Sequence, residues 1–429
     1  MSSPFKTAAL HTLGCKVNFT ETSMLAKQFQ EDGLSLVSID QFADIYVLNT
    51  CSVTENANIK CNRLVKKLKR INPNAFIVIT GCYAQLKSDQ LSKNNDIDLV
   101  VGSESKLNIP EIIKKEMNSK LVTSKFDSIE SFSLSYSSGD RVRSFIKVQD
   151  GCDYNCTFCT IPLARGKSRS SKISEIVDVV NSLDRKGYKE VVLSGINLGD
   201  FGNGSNQNCF QLFQEIEKST SIPRIRISSI EPNLLSDNII NLIASSKRFM
   251  PHFHIPLQSG SDRILKRMNR TYTRNHFIKL ATTIRKKLPN AGISTDIIVG
   301  FPGESDDNFY VTLQFIIKLN ISYLHVFTYS ERANTRAINF ENKVDKKIRL
   351  KRSLILRNFS KKILEEHQNK FIKSSRPVLF EYLKNDKIFG YTDNYIKVAV
   401  EASHSIINTI QNVRLRSLNG NYIVGELVN

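Results

Sequence analysis

Apolar runs of strand length recur along this chain, and three of the first four stop at a cysteine. TAALHTLGC ends at Cys15, ADIYVLNTC at Cys51 and AFIVITGC at Cys82, and a fourth run follows at DLVVGS. Stretches of helical periodicity, such as Glu21 to Gln30 and Ile59 to Leu68, lie between them. Strands that alternate with helices build a parallel sheet with right-handed crossovers. A residue that follows such a strand lies on the carboxyl edge of the sheet, where open α/β sheets form their ligand sites. If the three strands are neighbours, Cys15, Cys51 and Cys82 meet at one point. If they are not, these are three separate buried or loop cysteines, which are common.

A polar, Ser-rich stretch from Thr123 to Gly139 reads as a linker, and a second alternation starts at Arg143. Its strands are SFIKVQDGC, EVVLSGIN, RIRISSIEP, HFHIPLQSG, STDIIVGFPGE and YLHVFTYSE, separated by helical stretches such as Ser174 to Lys186, Leu234 to Ser245 and Phe277 to Lys287. Six βα units are too few to close an eight-fold barrel, so an open partial barrel is expected, with functional groups at its carboxyl strand ends. From Asn342 to Lys373 runs a lysine- and arginine-rich helix, with Leu350, Leu354 and Phe359 as its expected inner face. It either packs on the barrel with a solvated outer side or touches RNA directly. After Arg376 the runs VLFEYL, IFGYT, YIKVAV, TIQNVRLRSL and YIVGELV predict a small antiparallel barrel. The fold class is therefore α/β, in three parts: an open parallel sheet over 1–124, a partial (β/α)6 barrel with the basic helix over 138–372, and the small β-barrel over 373–429.

The 429 residues hold 60 Lys+Arg against 41 Asp+Glu, a formal charge of +19. Such an excess suits a polyanion, either nucleic acid or an anionic membrane surface. No run approaches the roughly 20 apolar residues needed to cross a bilayer. The opening residues lack the charged head and apolar core of a secretory signal. Nucleic acid, no membrane and a cytoplasmic location are expected. In that reducing compartment, clustered cysteines point to metal binding or catalysis rather than to disulfides.

The segment DGCDYNCTFC places Cys152, Cys156 and Cys159 in CxxxCxxC spacing directly after a strand. Thiolate is the normal ligand of iron–sulfur clusters. Three thiolates on a four-iron cube leave one iron open to an exogenous amine and carboxylate. The alternatives are a structural zinc or a chance grouping. Zinc favours four protein ligands in paired spacings, and no fourth Cys or His stands nearby.

CxxxCxxC on the first strand of a six-unit partial barrel resembles the radical S-adenosylmethionine superfamily. The resemblance implies that the open iron binds the methionyl end of the cofactor, whose cleavage yields a 5′-deoxyadenosyl radical. By position it also implies cofactor contacts at Ser194 and Gly195, at Arg226, Ser228, Ser229 and Glu231, at Gln258 and Ser259, and at the Gly300–Glu304 turn. Packing is favoured over a ligand role for His252 and His254. The segments LGCKVN, NTCSVT and GCYAQ resemble the three cysteine motifs of the methylthiotransferase N-terminal domain, and the final barrel is TRAM-like. The resemblance thus spans almost the whole chain. It implies a second [4Fe–4S] cluster on Cys15, Cys51 and Cys82 that carries the sulfur to be inserted, with S-adenosylmethionine supplying both the methyl group and the radical. Cys61 and Cys209 match no motif and read as ordinary cysteines.

Members of that family act on tRNA bearing isopentenyl adenosine, on tRNA bearing threonylcarbamoyl adenosine, or on a ribosomal-protein aspartate. GCKVN differs from the GCQMN of the first and the GCPKN of the third, and VQDGCDYNCTFCTIPLARGKSRS is similar to the second. The expected activity is methylthio insertion at C2 of N6-threonylcarbamoyladenosine, position 37 of tRNA. An anticodon loop offers single-stranded bases that a pocket can take up. Lys167, Arg169, Lys172 and the basic helix are candidate phosphate contacts. An electron donor such as a flavodoxin or ferredoxin is implied, and a monomer is the default. No general acid or base stands out. A non-catalytic iron–sulfur RNA-binding or sensing protein would share the charge and the cysteines, but not the open-iron motif at the mouth of a partial barrel.

Overall fold

The computed structural model describes residues 5–52, 55–115, 120–123, 129, 131–139, 141–401 and 404–428. Among these, β1 (Thr7–Leu13), β2 (Ser35–Leu36), β3 (Ile45–Thr50), β4 (Phe76–Gly81), β5 (Leu99–Val101) and β6 (Leu121–Val122) form one all-parallel sheet. Its order is β2-β1-β3-β4-β5-β6. Successive side chains of a strand face opposite sides. Tyr46, Leu48, Ile77 and Ile79 accordingly fill one core, while Ile45, Val47 and Val78 fill the other. Burial on both sides is why these strands read as unbroken apolar runs rather than as alternation.

Of the expected linker, 124–128 and 130 lie outside the described residues. Part of the remainder is ordered as β7 (Ser135–Tyr136), which pairs antiparallel with β8 (Arg143–Lys147). Two short strands, β9 (Gln149–Asp150) and β10 (Arg169–Ser170), pair antiparallel and close the base of the CxxxCxxC loop.

The partial barrel continues through β11 (Glu190–Ser194), β12 (Arg224–Ile227), β13 (His252–His254), β14 (Gly292–Val299) and β15 (Tyr323–Thr328). With β8 these make six parallel strands among the described residues; β12 meets β13 only through the bridges Ile225↔Phe249 and Ser229↔His254. Helices such as Ile173–Arg185, Asp237–Ser245 and Arg274–Lys287 cover the outside and share one core with the strands. Across the open side, Lys16–Glu31 of the first sheet packs on β8, with Phe19 edge-on to Phe145 at 5.8 Å.

The basic helix spans Lys346–Asn369 and lies along β15, but its inner face is not the expected one. Leu350 and Leu354 are 65% and 61% exposed, and only Phe359 packs on the barrel core. Arg349, Arg352, Ser353 and Leu356 are the buried side. The arginines turn inward because acceptors wait for them: Glu331 at 2.6 Å from Arg349, and Glu304 and Asp306 at 2.6 and 2.7 Å from Arg352.

The final part is a closed barrel of β16 (Ser375–Lys384), β17 (Lys387–Thr392), β18 (Lys397–Val400), β19 (Ile410–Asn419) and β20 (Tyr422–Leu427), in the order β16-β17-β18-β20-β19. It is not wholly antiparallel, since β18 and β20 run parallel. Among the described residues, no helix is long and apolar enough to cross a membrane.

Candidate functional site

The three strands that precede Cys15, Cys51 and Cys82 are neighbours. β1 pairs β3 and β3 pairs β4 in register, so that Leu13, Thr50 and Gly81 lie side by side. Cys15 is the N-cap of helix Lys16–Glu31, Cys51 directly follows β3, and Cys82 opens the short helix Cys82–Leu86. The condition set by the sequence is met, and three thiols share one sheet edge. Gly81 is held at φ +93°, and a Cβ there would stand 2.5 Å from Asn49 Oδ1 and from the Thr50 carbonyl. Only glycine tolerates that geometry without strain. Behind the edge, the Asn18 amide donates to Asn49 Oδ1 and the Thr50 carbonyl, each at 2.9 Å, and the Cys15 thiol donates to Asn18 Oδ1 at 3.3 Å.

Cys152, Cys156 and Cys159 sit on a loop folded tightly on itself. The Cys152 N–H donates to the Gly166 carbonyl at 3.1 Å and the Cys159 N–H to the Cys156 carbonyl at 3.2 Å. Gly151, at φ +72°, lies so close to Lys167 that a Cβ would stand 1.9 Å from its carbonyl oxygen. Arg270 donates to Cys156 Sγ at 3.0 Å and is itself hydrogen-bonded to Glu231. Burial pushes the Cys152 and Cys159 thiols up to about 12.

The two trios share a wall. Arg165, at the end of helix Ile161–Arg165 just after the second trio, is completely buried. Its Nε donates to Cys82 Sγ at 3.2 Å, and its other nitrogens reach Asn18 Oδ1 at 2.7 Å, Asp150 at 2.8 Å and Glu21 at 3.1 Å. Lys106 and Lys147 also bind Glu21, at 2.8 and 3.3 Å. Burial pushes the Glu21 carboxyl up, but the charges of Arg165, Lys106 and Lys147 outweigh it and hold the group well below its usual range. Nearby, Ser52 and Thr160, the residues after Cys51 and Cys159, face each other at 3.4 Å.

All eight cysteines are free thiols. Among the described residues, neither trio closes to the 4.8 Å mutual spacing of a single-ion site. A cubane takes each thiolate on a separate iron, and a donor set of three thiols alone suits [4Fe–4S] by ligand chemistry, where structural zinc takes four ligands. The group that does close to 4.8 Å is His254, Asp296 and His325, on β13, β14 and β15. His254 is satisfied there by Ser294 at 2.9 Å and Asp296 at 3.2 Å.

For S-adenosylmethionine, the fit lies in polar atoms left without partners. Among the described residues, Ser228 Oγ and both amide atoms of Asn197 are buried with no hydrogen bond. Buried polar atoms in native proteins are ordinarily paired, so these await a ligand or water. A cavity of about 180 Å³ opens beside Cys159, walled by Phe158, Gln258, Ile298, Phe327 and Tyr329. Gln258 sits there at φ +66°, a strained conformation for a side-chain-bearing residue.

Other residues singled out by sequence have different tasks. Ser194 is buried and turned to the Val192 carbonyl, and a Cβ on Gly195 would press on Gln149 at 2.8 Å. Ser259 is buried against Thr312. Glu231 is engaged by Arg270 and so acts on Cys156 at second hand. Arg226 corrects its expectation: its guanidinium is taken by Glu190 at 3.0 Å and by the Asp393 and Thr392 carbonyls. The Gly300–Glu304 turn is corrected too. Glu304 caps the Gly300 N–H at 2.9 Å and pairs with Arg352, so the turn braces the basic helix.

Arg169 is spent on the Arg165 and Lys167 carbonyls, at 2.6 and 3.0 Å, and leaves the candidate phosphate contacts; Lys167 and Lys172 remain exposed. His252 packs between Tyr323 and Tyr395. Cys61 and Cys209 are buried in apolar cores, and burial pushes the Cys61 thiol up to about 12. The sequence reading missed Asn197, Arg165 and Arg270. Arg165 and Asn197 lay within motifs already quoted, but nothing in their spacing marked them.

Residues 7–102 match a family described as Uncharacterized protein family UPF0004, and residues 146–316 match the Radical SAM superfamily. The chain is 37% identical over 405 residues to the threonylcarbamoyladenosine tRNA methylthiotransferase MtaB of Aquifex aeolicus, covering 92% of this chain and 96% of that relative. It is 32% identical over 437 residues to the tRNA-2-methylthio-N(6)-dimethylallyladenosine synthase of Acetivibrio thermocellus, covering 99% and 91%. The radical S-adenosylmethionine methyltransferase TsrM from Kitasatospora setae shares the fold with TM-score 0.58 at 12% identity, over 75% of this chain and 73% of that one. With both trios placed and relatives matched over nearly their whole length, the chain belongs to the tRNA methylthiotransferase family of radical S-adenosylmethionine enzymes.

Proposed function

We propose that this chain adds a methylthio group to C2 of N6-threonylcarbamoyladenosine at position 37 of tRNA, with two [4Fe–4S] clusters and S-adenosylmethionine. The observation that carries this reading is the in-register adjacency of β1, β3 and β4, which gives Cys15, Cys51 and Cys82 one edge beside the Cys152/Cys156/Cys159 loop. Cys152, Cys156 and Cys159 hold one cluster, and Cys15, Cys51 and Cys82 the other. When bound, these groups supply a hydrogen-abstracting radical and the sulfur to be methylated and inserted.

The protein's part is to bind, orient and exclude water. Arg270 donates to Cys156 and Arg165 to Cys82, and each places positive charge beside a thiolate set that becomes anionic on loading. Ser228 and Asn197 offer free polar atoms to the cofactor. Phe158, Ile298, Phe327 and Tyr329 form a largely apolar wall from which water is displaced when the site fills. Parts bounded near 1–124, 138–372 and 373–429 divide the work into sulfur carriage, radical generation and RNA grip. A flavodoxin- or ferredoxin-like protein delivers electrons, and the enzyme works in the cytoplasm. The relative named for threonylcarbamoyladenosine is the more similar of the two compared above, and GCKVN agrees with that substrate.

Nucleoside analysis of tRNA from cells lacking the gene tests the reading. The 2-methylthio form of threonylcarbamoyladenosine disappears and its unmodified precursor accumulates. An unchanged 2-methylthio nucleoside pool would remove the substrate assignment.

A further inference from the structure

Arg332 lies just beyond β15 and lines two cavities at once. One is the cavity beside Cys159; the other, of about 460 Å³, is walled by Ser52, Asn58, Tyr83, Thr160 and Lys346. The second cavity therefore opens between the residues that follow Cys51, Cys82 and Cys159. Among the described residues, Arg332 Nε and Nη2 are buried without any hydrogen-bond partner. Those two nitrogens form the side-on fork of a guanidinium, the edge that grips a carboxylate through two parallel N–H···O bonds. A buried fork left empty is costly, since it has lost water and gained nothing.

Among the described residues no side chain hydrogen-bonds to that edge, although the Glu55 carboxylate lies close enough to act on its charge. Glu331, the neighbouring carboxylate, is turned away to Arg349 at 2.6 Å. Glu55 is exposed on the cavity rim, with Lys87 and Lys346 also on the wall. Asn58 lines the same cavity, and among the described residues its buried Oδ1 has no donor. A ligand that completes this pocket brings an anion of carboxylate shape to Arg332 and an N–H or O–H to Asn58.

We infer that Arg332 is the specificity-determining residue that binds the carboxylate of the threonylcarbamoyl group, with Asn58 accepting from that group's ureido N–H or hydroxyl. The inference rests on the threonylcarbamoyladenosine reading above and deepens it. An isopentenyl group has neither charge nor donor and would leave both protein groups unpaired. Selection then works as it does wherever a site is built to hydrogen-bond its substrate: the analogue lacking the partner is rejected because buried polar atoms stay unsatisfied.

The test uses the full, cluster-loaded chain and two anticodon stem-loops, one bearing N6-threonylcarbamoyladenosine and one bearing its neutral methyl ester. Dissociation constants come from fluorescence anisotropy and methylthio product from mass spectrometry. The wild type is expected to prefer the acid by about tenfold to a hundredfold. Arg332→Ala should erase that preference by weakening the acid while leaving the ester unchanged. Arg332→Lys, which keeps the charge but loses the fork, should restore part of it. Iron content and the reduced-cluster electron paramagnetic resonance spectrum of each variant report folding and loading separately.

An equal loss for acid and ester in Arg332→Ala would overturn the inference, because it would place the guanidinium on phosphate or beside the Cys51 thiolate. Equal wild-type affinity for the two stem-loops would overturn it as well. If instead the wild type binds the acid selectively but yields no methylthio product, the pocket assignment stands and the activity assignment falls.

Discussion

Arg165 and Cys82, 83 positions apart, touch: the guanidinium Nε donates to the thiol sulfur at 3.2 Å in a fully buried setting. The contact joins the end of the CxxxCxxC segment to the third cysteine of the parallel sheet. It makes the wall between the two thiol sets a single charged assembly rather than a passive boundary.

Removing that guanidinium strands two carboxylates. Arg165→Met leaves Glu21 and Asp150 buried with fewer cations, and breaking a buried pair in this way costs about 3–5 kcal/mol. Urea unfolding of the metal-free protein reads the loss as a lower midpoint. Arg165→Lys, which retains charge, is expected to fall between the two. A midpoint equal to wild type would mean that Lys106 and Lys147 alone neutralise Glu21.

Two independent metal centres predict a simple stoichiometry. Cys15→Ala and Cys156→Ala should each lower iron and sulfide by about half in anaerobically purified protein, and the double variant should lose nearly all of both. Cys61→Ala and Cys209→Ala should keep the full complement, because both thiols are sealed in apolar cores. One centre only, or zinc in place of iron, would dismantle the two-cluster assignment.

Glu190 gives the fold an acid limit. Burial pushes its carboxyl up, but Arg226 and Arg143 outweigh burial and hold it at about 2, below the ordinary 4.5. A carboxyl depressed in the folded state contributes stability that is present in full above about 4.5 and drains away as pH falls toward 2. Its share is on the order of 3 kcal/mol. Thermal midpoints recorded from pH 6 to pH 3 should drop, and Glu190→Gln should flatten that drop while lowering stability at neutral pH.

The basic helix separates burial from hydrophobicity. Leu350→Ser and Leu354→Ser remove exposed side chains and should change stability by less than about 0.5 kcal/mol. Leu356→Ala, in the core, should cost about 2–5 kcal/mol. Chemical denaturation of the three variants makes the comparison.

The strand-end cysteines were legible because a fully buried strand reads as an apolar run whose last residue is easy to locate. Their convergence was not, since strand order in a sheet depends on which long-range pairs form. The inner face of the basic helix misled for a related reason. Leu350 and Leu354 look like core residues until Glu304, Asp306 and Glu331, distant in sequence, draw Arg349 and Arg352 inward. Arg226 failed in the same way, claimed by Glu190 and by carbonyls from a different part of the chain. Arg332 carries no local signal, because an unfilled hydrogen-bonding edge exists only once everything around it is in place.

The small barrel is fastened beneath the partial one. Arg143 reaches Glu381 at 2.8 Å, Arg224 reaches the Pro377 and Tyr391 carbonyls, and Asn394 reaches the Asn290 carbonyl, all from the amino-terminal side of the strands. A module bolted down at this many points has one orientation on the partial barrel, so the face it leaves open is fixed by the arginines and asparagine that hold its other side.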